Sequence, residues 1–117
     1  MPRVLVVDND AEYLQLLKLM FSSYNDLTIM AAVDGEDAIR QFNSYPDISV
    51  ILMDLYMPGT DGFQVIELIR GRSQVPIFAV TAAQGLEDRV KKAGGNGYIL
   101  KPCGRHNLYE TIEPYLH

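Results

Sequence analysis

The chain has 117 residues, enough for one domain whose core buries about two-thirds of the unfolded surface without staples. Hydrophobic residues make up 48% and charged residues 21%, which excludes a disordered chain, and the single cysteine, Cys103, excludes an internal disulfide framework. Ten basic residues against fifteen acidic ones leave a net charge of −5, which argues against nucleic-acid binding, since phosphate contacts need a basic surface. No apolar stretch approaches the ~20 residues of a membrane span, and the first residues are too short of apolar side chains for a signal peptide. The expectation is one cytoplasmic domain over residues 1–117.

Residues 4–7, Val-Leu-Val-Val, read as a first strand, and Asp10 stands where the N-cap of a helix over residues 11–22 would sit, with Leu14, Leu17 and Phe21 on one face. Residues 27–32 read as a second strand, followed by an Asp34-Gly35 turn and a helix carrying Ala38 and Phe42. After Tyr45-Pro46-Asp47 comes the third strand, 48–53. Pro58-Gly59 then marks a turn before a helix with Phe63, Ile66 and Ile69 in steps of three. Residues 75–80 form the fourth strand. The segment 84–93 is the weakest helix, with only Leu86, Val90 and Ala93 on one side. Gly94-Gly95-Asn96-Gly97 leads into the fifth strand, 98–100, and Leu108, Ile112 and Leu116 mark a last helix that Pro114 is expected to fray. Continuously apolar, Val- and Ile-rich strands alternating with helices predict a parallel sheet covered on both faces, with ligands at the carboxyl ends of its strands.

Four of the five apolar runs end at a polar residue: Asp8, Asp54, Thr81 and Lys101. If the strand order is 2-1-3-4-5, those ends share one edge of the sheet, and Asn9 and Asp10 add oxygen atoms beside them. Gathered carboxylates repel, and Mg²⁺, which takes one or two protein carboxylates and keeps several waters, relieves that repulsion. A hydroxyl and a lysine opposite would hold something anionic, and the set together describes phosphoryl chemistry. Each residue also has a plainer role. Asp10 can be only a helix cap, Thr81-Ala-Ala-Gln84 is a good capping box, and Lys101 before Pro102 can be a surface lysine. Arg89, Lys91 and Lys92 suit a solvated helix end, Cys103 suits a small half-buried hydrophobe, and His106 and His117 have no ligand-spaced partner. None of these roles explains why all four polar ends fall on one edge.

Val4-Leu-Val-Val-Asp-Asn-Asp10, Met53-Asp-Leu-Tyr-Met-Pro-Gly-Thr-Asp-Gly62, Val75-Pro-Ile-Phe-Ala-Val-Thr-Ala82 and Gly97-Tyr-Ile-Leu-Lys-Pro102 together resemble the receiver domain of two-component response regulators, in order and over essentially the whole chain. The resemblance implies a five-stranded parallel sheet of order 2-1-3-4-5 in a flavodoxin-like three-layer α/β/α sandwich. It implies a signalling phosphoacceptor rather than a classical enzyme, assisting its own phosphorylation and dephosphorylation. Asp54 is then the phosphoacceptor, charged by a sensor histidine kinase or a phosphotransfer protein. Mg²⁺ is held by Asp54, the backbone carbonyl of Tyr56, Asp8 and Asn9. Lys101 pairs first with Asp54 and then with the phosphoryl oxygens, Thr81 swings to the phosphoryl group, and Tyr98 turns inward behind it. The fourth helix, fifth strand and fifth helix then present a changed surface to a downstream protein target or to an output domain outside these residues, with a phosphorylation-dependent homodimer left open. No direct contact with nucleic acid or membrane is implied.

Two residues depart from the family pattern. Asn9 replaces the usual second aspartate, which predicts weaker Mg²⁺ binding that Asn9→Asp would strengthen, with Asp8 or Asp10 partly substituting. Cys103 replaces the usual phenylalanine after Lys101-Pro102, which predicts looser packing under the last helix. Tyr56 and Ala83 stand where similar proteins tune dephosphorylation. Other readings remain open. In a haloacid-dehalogenase-type phosphohydrolase, Asp8 and Asp10 would be nucleophile and acid/base, although Glu12 sits where that motif wants Thr or Val. A degenerate receiver would be a constitutive interaction module, and a nucleotide-binding flavodoxin-like module would need a phosphate-cradling loop that this acidic segment lacks.

Overall fold

Along the first strand Leu5 and Val7 join one hydrophobic cluster and Val4 and Val6 another, so a single strand feeds both faces of the sheet. That is the period-two consequence of a strand covered on both sides. The computed structural model describes residues 2–24 and 27–116; His117 lies outside them. Five parallel strands form the sheet: β1 (Arg3–Val7), β2 (Thr28–Ala32), β3 (Ile48–Met53), β4 (Ile77–Thr81) and β5 (Gly97–Leu100). Their spatial order is β2-β1-β3-β4-β5, the expected flavodoxin-like order.

The helices are α1 (Ala11–Met20), α2 (Gly35–Ser44), α3 (Gly62–Arg70), α4 (Glu87–Ala93) and α5 (Arg105–Ile112). Leu14 and Leu17 of α1 and Leu108 and Ile112 of α5 pack with Val50, Leu52, Phe78 and Val80 on one face. Ile66 and Ile69 of α3, Ala38 of α2 and Val90 of α4 pack with Ile51, Met53, Ile77 and Ala79 on the other. Side-chain caps start the first three helices. Asp10 Oδ1 accepts from the N–H groups of Glu12 and Tyr13, Asp34 accepts from Asp37 N–H, and Asp61 accepts from Phe63 N–H. The last helix ends at Ile112 and tightens into a 3₁₀ turn, Glu113–Tyr115, where Pro114 has no N–H to continue the α pattern.

Two expectations need correction, and the fold adds one small element. The fourth strand begins at Ile77, beyond Pro76, and includes Thr81 as its last residue. The capping box at Thr81-Ala-Ala-Gln84 does not form: Thr81 Oγ1 accepts Ala83 N–H at 3.3 Å, no helix follows there, and α4 starts only at Glu87. Gly85, at φ +78°, turns the chain into the left-handed region inside that segment, so a helix cannot run from residue 82. A small antiparallel ladder between Tyr56–Met57 and Thr60–Asp61, closing the loop after β3, is not foreseen by any periodicity because each arm has two residues.

Candidate functional site

The sheet's own ladder carries the polar residues to one edge. Val7 pairs with Met53 in register, so the next residues, Asp8 and Asp54, stand side by side. Asp54 N–H donates to Val7 O at 2.9 Å, and Asp8 N–H donates to Ala32 O at 3.0 Å. On the other side Thr81 pairs with Leu100, and Lys101 N–H donates to Thr81 O at 2.8 Å. All four backbones are therefore held by the ends of neighbouring strands, and only their side chains are free to act.

Asp8 is 2% exposed and needs partners. Its Oδ1 accepts Asp10 N–H at 2.9 Å and its Oδ2 lies 2.6 Å from Lys101 Nζ. The same ammonium is 3.8 Å from Asp54 Oδ2, so it bridges the two carboxylates with its shorter contact to Asp8. The resemblance puts Lys101 on Asp54 first; here Asp8, the more buried acid, takes the closer contact, because its charge has less access to water. Asp54 Oδ1 accepts Tyr56 N–H at 3.3 Å. Burial pushes the Asp54 carboxyl above its ordinary value of 3.8, the Lys101 ammonium opposes that rise, and the Asp8 charge adds to it. An acid that is costly to ionise where it stands gains from any cation, or any esterification, that removes its charge.

The other predicted residues differ in their burial and their partners. Thr81 is 3% exposed and its hydroxyl is turned back on its own loop, towards Ala83 N–H. Asn9 and the Tyr56 side chain are exposed. Asp10 has spent its carboxylate on the α1 cap, which weakens it as a substitute ligand. The Tyr98 ring already packs against the cluster under α3 and α4, and its hydroxyl is buried without a hydrogen-bond partner among the described residues. Cys103 is half-buried beside the cluster under α1 and α5, and burial raises its thiol above the ordinary value. His106 lies 2.8 Å from Glu110 on the exposed face of α5.

One neighbour is absent from the sequence-predicted set. The Lys101 ammonium lies 4.1 Å from the centre of the Tyr13 ring, on the first turn of α1. Burial first, then the charges of Asp8, Cys103 and Asp54, push the Tyr13 phenol up to about 12, so it stays neutral. At the sequence level Tyr13 is one more residue of an amphipathic helix, and nothing in its spacing points at Lys101.

Among the described residues no cluster of three or more His, Cys, Asp or Glu side chains is built to hold a metal. The two carboxylates that do converge, Asp8 and Asp54, are nonetheless a hard-oxygen pair of the number Mg²⁺ takes from a protein. No described helix is long and apolar enough to cross a membrane.

Comparison with known proteins places the chain in a family. The family model described as "Response regulator receiver domain" matches residues 4–113. The chain is 37% identical over 116 residues to the transcriptional regulatory protein ResD of Bacillus subtilis, covering 97% of this chain and 48% of that protein. It thus spans about half the length of the curated relatives it matches. The chemotaxis protein CheY4 of Vibrio cholerae superposes with a TM-score of 0.88 at 26% identity over 99% of each chain. A two-component response regulator from Clostridium difficile has the same fold, with a TM-score of 0.92 at 24% identity over 99% of this chain and 96% of that one. The chain belongs to the response regulator receiver domain family.

Proposed function

We propose that Asp54 is the phosphoacceptor of this receiver. The observation that carries the reading is the single ammonium of Lys101 lying between two carboxylates at the carboxyl edge of the sheet, with buried Thr81 at the neighbouring strand end. An Asp54 oxygen attacks the phosphorus of the donor. The new O–P bond forms as the donor's P–N or P–O bond breaks, and that electron pair leaves with the donor's imidazole or carboxylate. Lys101 neutralises charge on the transferring oxygens, and the Thr81 hydroxyl can rotate from its own loop to donate to one of them. Asp8, Asn9, Asp54 and the Tyr56 carbonyl would hold Mg²⁺, which supplies further charge neutralisation when bound.

A Thr81 hydrogen bond to a charged oxygen is worth about 1.5–3 kcal/mol, whereas inverting a 1:99 population takes about 5.5 kcal/mol. The switch therefore draws on Lys101, the metal and the partner as well. The donor is a sensor histidine kinase or a phosphotransfer protein in the cytoplasm. The face built from α4, β5 and α5 is read by a downstream protein, by an output domain of a longer chain, or by a second copy. Any contact with DNA belongs to such an output domain.

Intact mass after incubation with acetyl phosphate tests the reading. One phosphoryl group should be added, only with Mg²⁺, and Asp54→Asn should abolish it. Label that survives Asp54→Asn but is lost in Asp8→Asn would favour the phosphohydrolase instead. The geometry opposes that reading, because both Asp8 oxygens are engaged and Asp10 is a helix cap. No label under any condition would favour the constitutive interaction module.

A further inference from the structure

Lysine reaches its site on a flexible four-carbon stem, so its ammonium stays where other groups hold it. Among the described residues, three groups lie against Lys101 Nζ: Asp8 Oδ2 at 2.6 Å, Asp54 Oδ2 at 3.8 Å and the ring of Tyr13, whose centre is at 4.1 Å. The carboxylates are the groups whose engagement must change if Asp54 is esterified and Asp8 turns to another cation. The ring keeps its electron-rich face throughout, because its attraction for a cation comes from the ring itself and needs no hydrogen bond. Its placement is also fixed by the site: Tyr13 N–H donates to Asp10 Oδ1, and Asp10 N–H donates to Asp8 Oδ1, so the backbone that carries the ring is tied to the Asp8 carboxylate. The ring packs against the cluster under α1 and α5, which limits its rotation.

We propose that Tyr13 is a positioning residue for phosphoryl transfer, its ring face holding the Lys101 ammonium at the rim of the Asp54 carboxylate. The proposal rests on the reading of Asp54 as phosphoacceptor. The ring makes and breaks no bond and moves no proton; it keeps the cation where the transferring oxygens arrive. The hydroxyl has no hydrogen-bond partner among the described residues, so the ring face and not the phenol is the working part.

Two readouts on the full chain test it. In NMR spectra of the folded protein, the ε-methylene protons of Lys101 should be shifted upfield by the ring current, retain that shift in Tyr13→Phe and lose it in Tyr13→Leu. The rate of labelling by acetyl phosphate should stay within about twofold of wild type in Tyr13→Phe and fall about fivefold in Tyr13→Leu, the rate equivalent of ~1 kcal/mol for a partly desolvated cation–ring contact. In a Lys101→Met background, Tyr13→Leu should slow labelling no further, because there is no ammonium left to place. An unshifted Lys101 methylene, an equal loss in the phenylalanine variant, or a further fivefold fall without Lys101 would each overturn the proposal. A wild-type chain that takes no phosphoryl group at all would instead overturn the reading on which it rests.

Discussion

Asp54 sits where ionisation is expensive, and that sets how the stability of the protein should respond to pH. A carboxyl whose folded pKa lies above its unfolded value holds its proton more tightly in the fold. It therefore supports the fold while protonated, and that support is lost as pH rises from 3.8 through the folded value. Asp54→Asn keeps the shape and removes the charge, so the variant should be more stable than wild type at neutral pH. The difference should close as acid protonates Asp54 in the wild type. Urea unfolding followed by circular dichroism at a series of pH values measures it, since the chain has no tryptophan to report by fluorescence. A variant less stable at neutral pH, or a gap that does not change with pH, would show that burial does not dominate at this carboxyl. Asp8 makes the closer contact with Lys101, and its second oxygen is already hydrogen-bonded. The two aspartates look alike in sequence, each following a run of Val, Leu, Ile or Met. What separates them is how near each stands to one lysine from the far end of the chain, and spacing along the chain does not carry that.

The elements around the site work through close backbone approach. At Gly62, the first residue of α3, an added Cβ would meet Asp54 O and Leu55 Cα at 2.7 Å each. Neither backbone atom can swing aside, so Gly62→Ala must displace α3 or the loop carrying Asp54. It should cost about 1–3 kcal/mol and slow labelling of Asp54. Gly71, the C-cap of α3, is the control. Its φ is −65° and an added Cβ would make only ordinary contacts, so Gly71→Ala should raise stability by ~0.5 kcal/mol and leave labelling unchanged. Chemical denaturation and intact mass, run on both variants, check the pair; equal behaviour would remove the close approach from the account. The strands and most helices were legible because their apolar side chains repeat at the periods of buried elements, as Val4 to Val7 and Phe63, Ile66 and Ile69 do. The start of α4 was not legible. Thr81 and Gln84 have the right spacing for a capping box, but the tertiary pairing of Thr81 with Leu100 and the left-handed turn at Gly85 override it.

At the scale of the whole molecule, the parallel sheet explains why so much of the site could be read before its geometry was known. A parallel order of β2-β1-β3-β4-β5 sends every carboxyl end to the same edge, so a polar residue closing an apolar run has one place to go. Asp8, Asp54, Thr81 and Lys101 arrive there by that rule. Tyr13 arrives by a different one, from the first turn of a helix, and no strand-end pattern finds it. Tyr13 thus adds to the strand-end residues an aromatic ring that shares one ammonium with two carboxylates.

The central claim is that the phosphoryl group rests on Asp54, and locating the label tests it most directly. Acyl phosphates are reduced by borohydride to the alcohol, so an aspartyl phosphate is left as homoserine at the modified position. Peptide mapping of the chain after acetyl phosphate, Mg²⁺ and borohydride should find homoserine at position 54 and aspartate still at position 8. Homoserine at position 8, or at neither position in a chain whose mass shows the added phosphoryl group, would contradict the account.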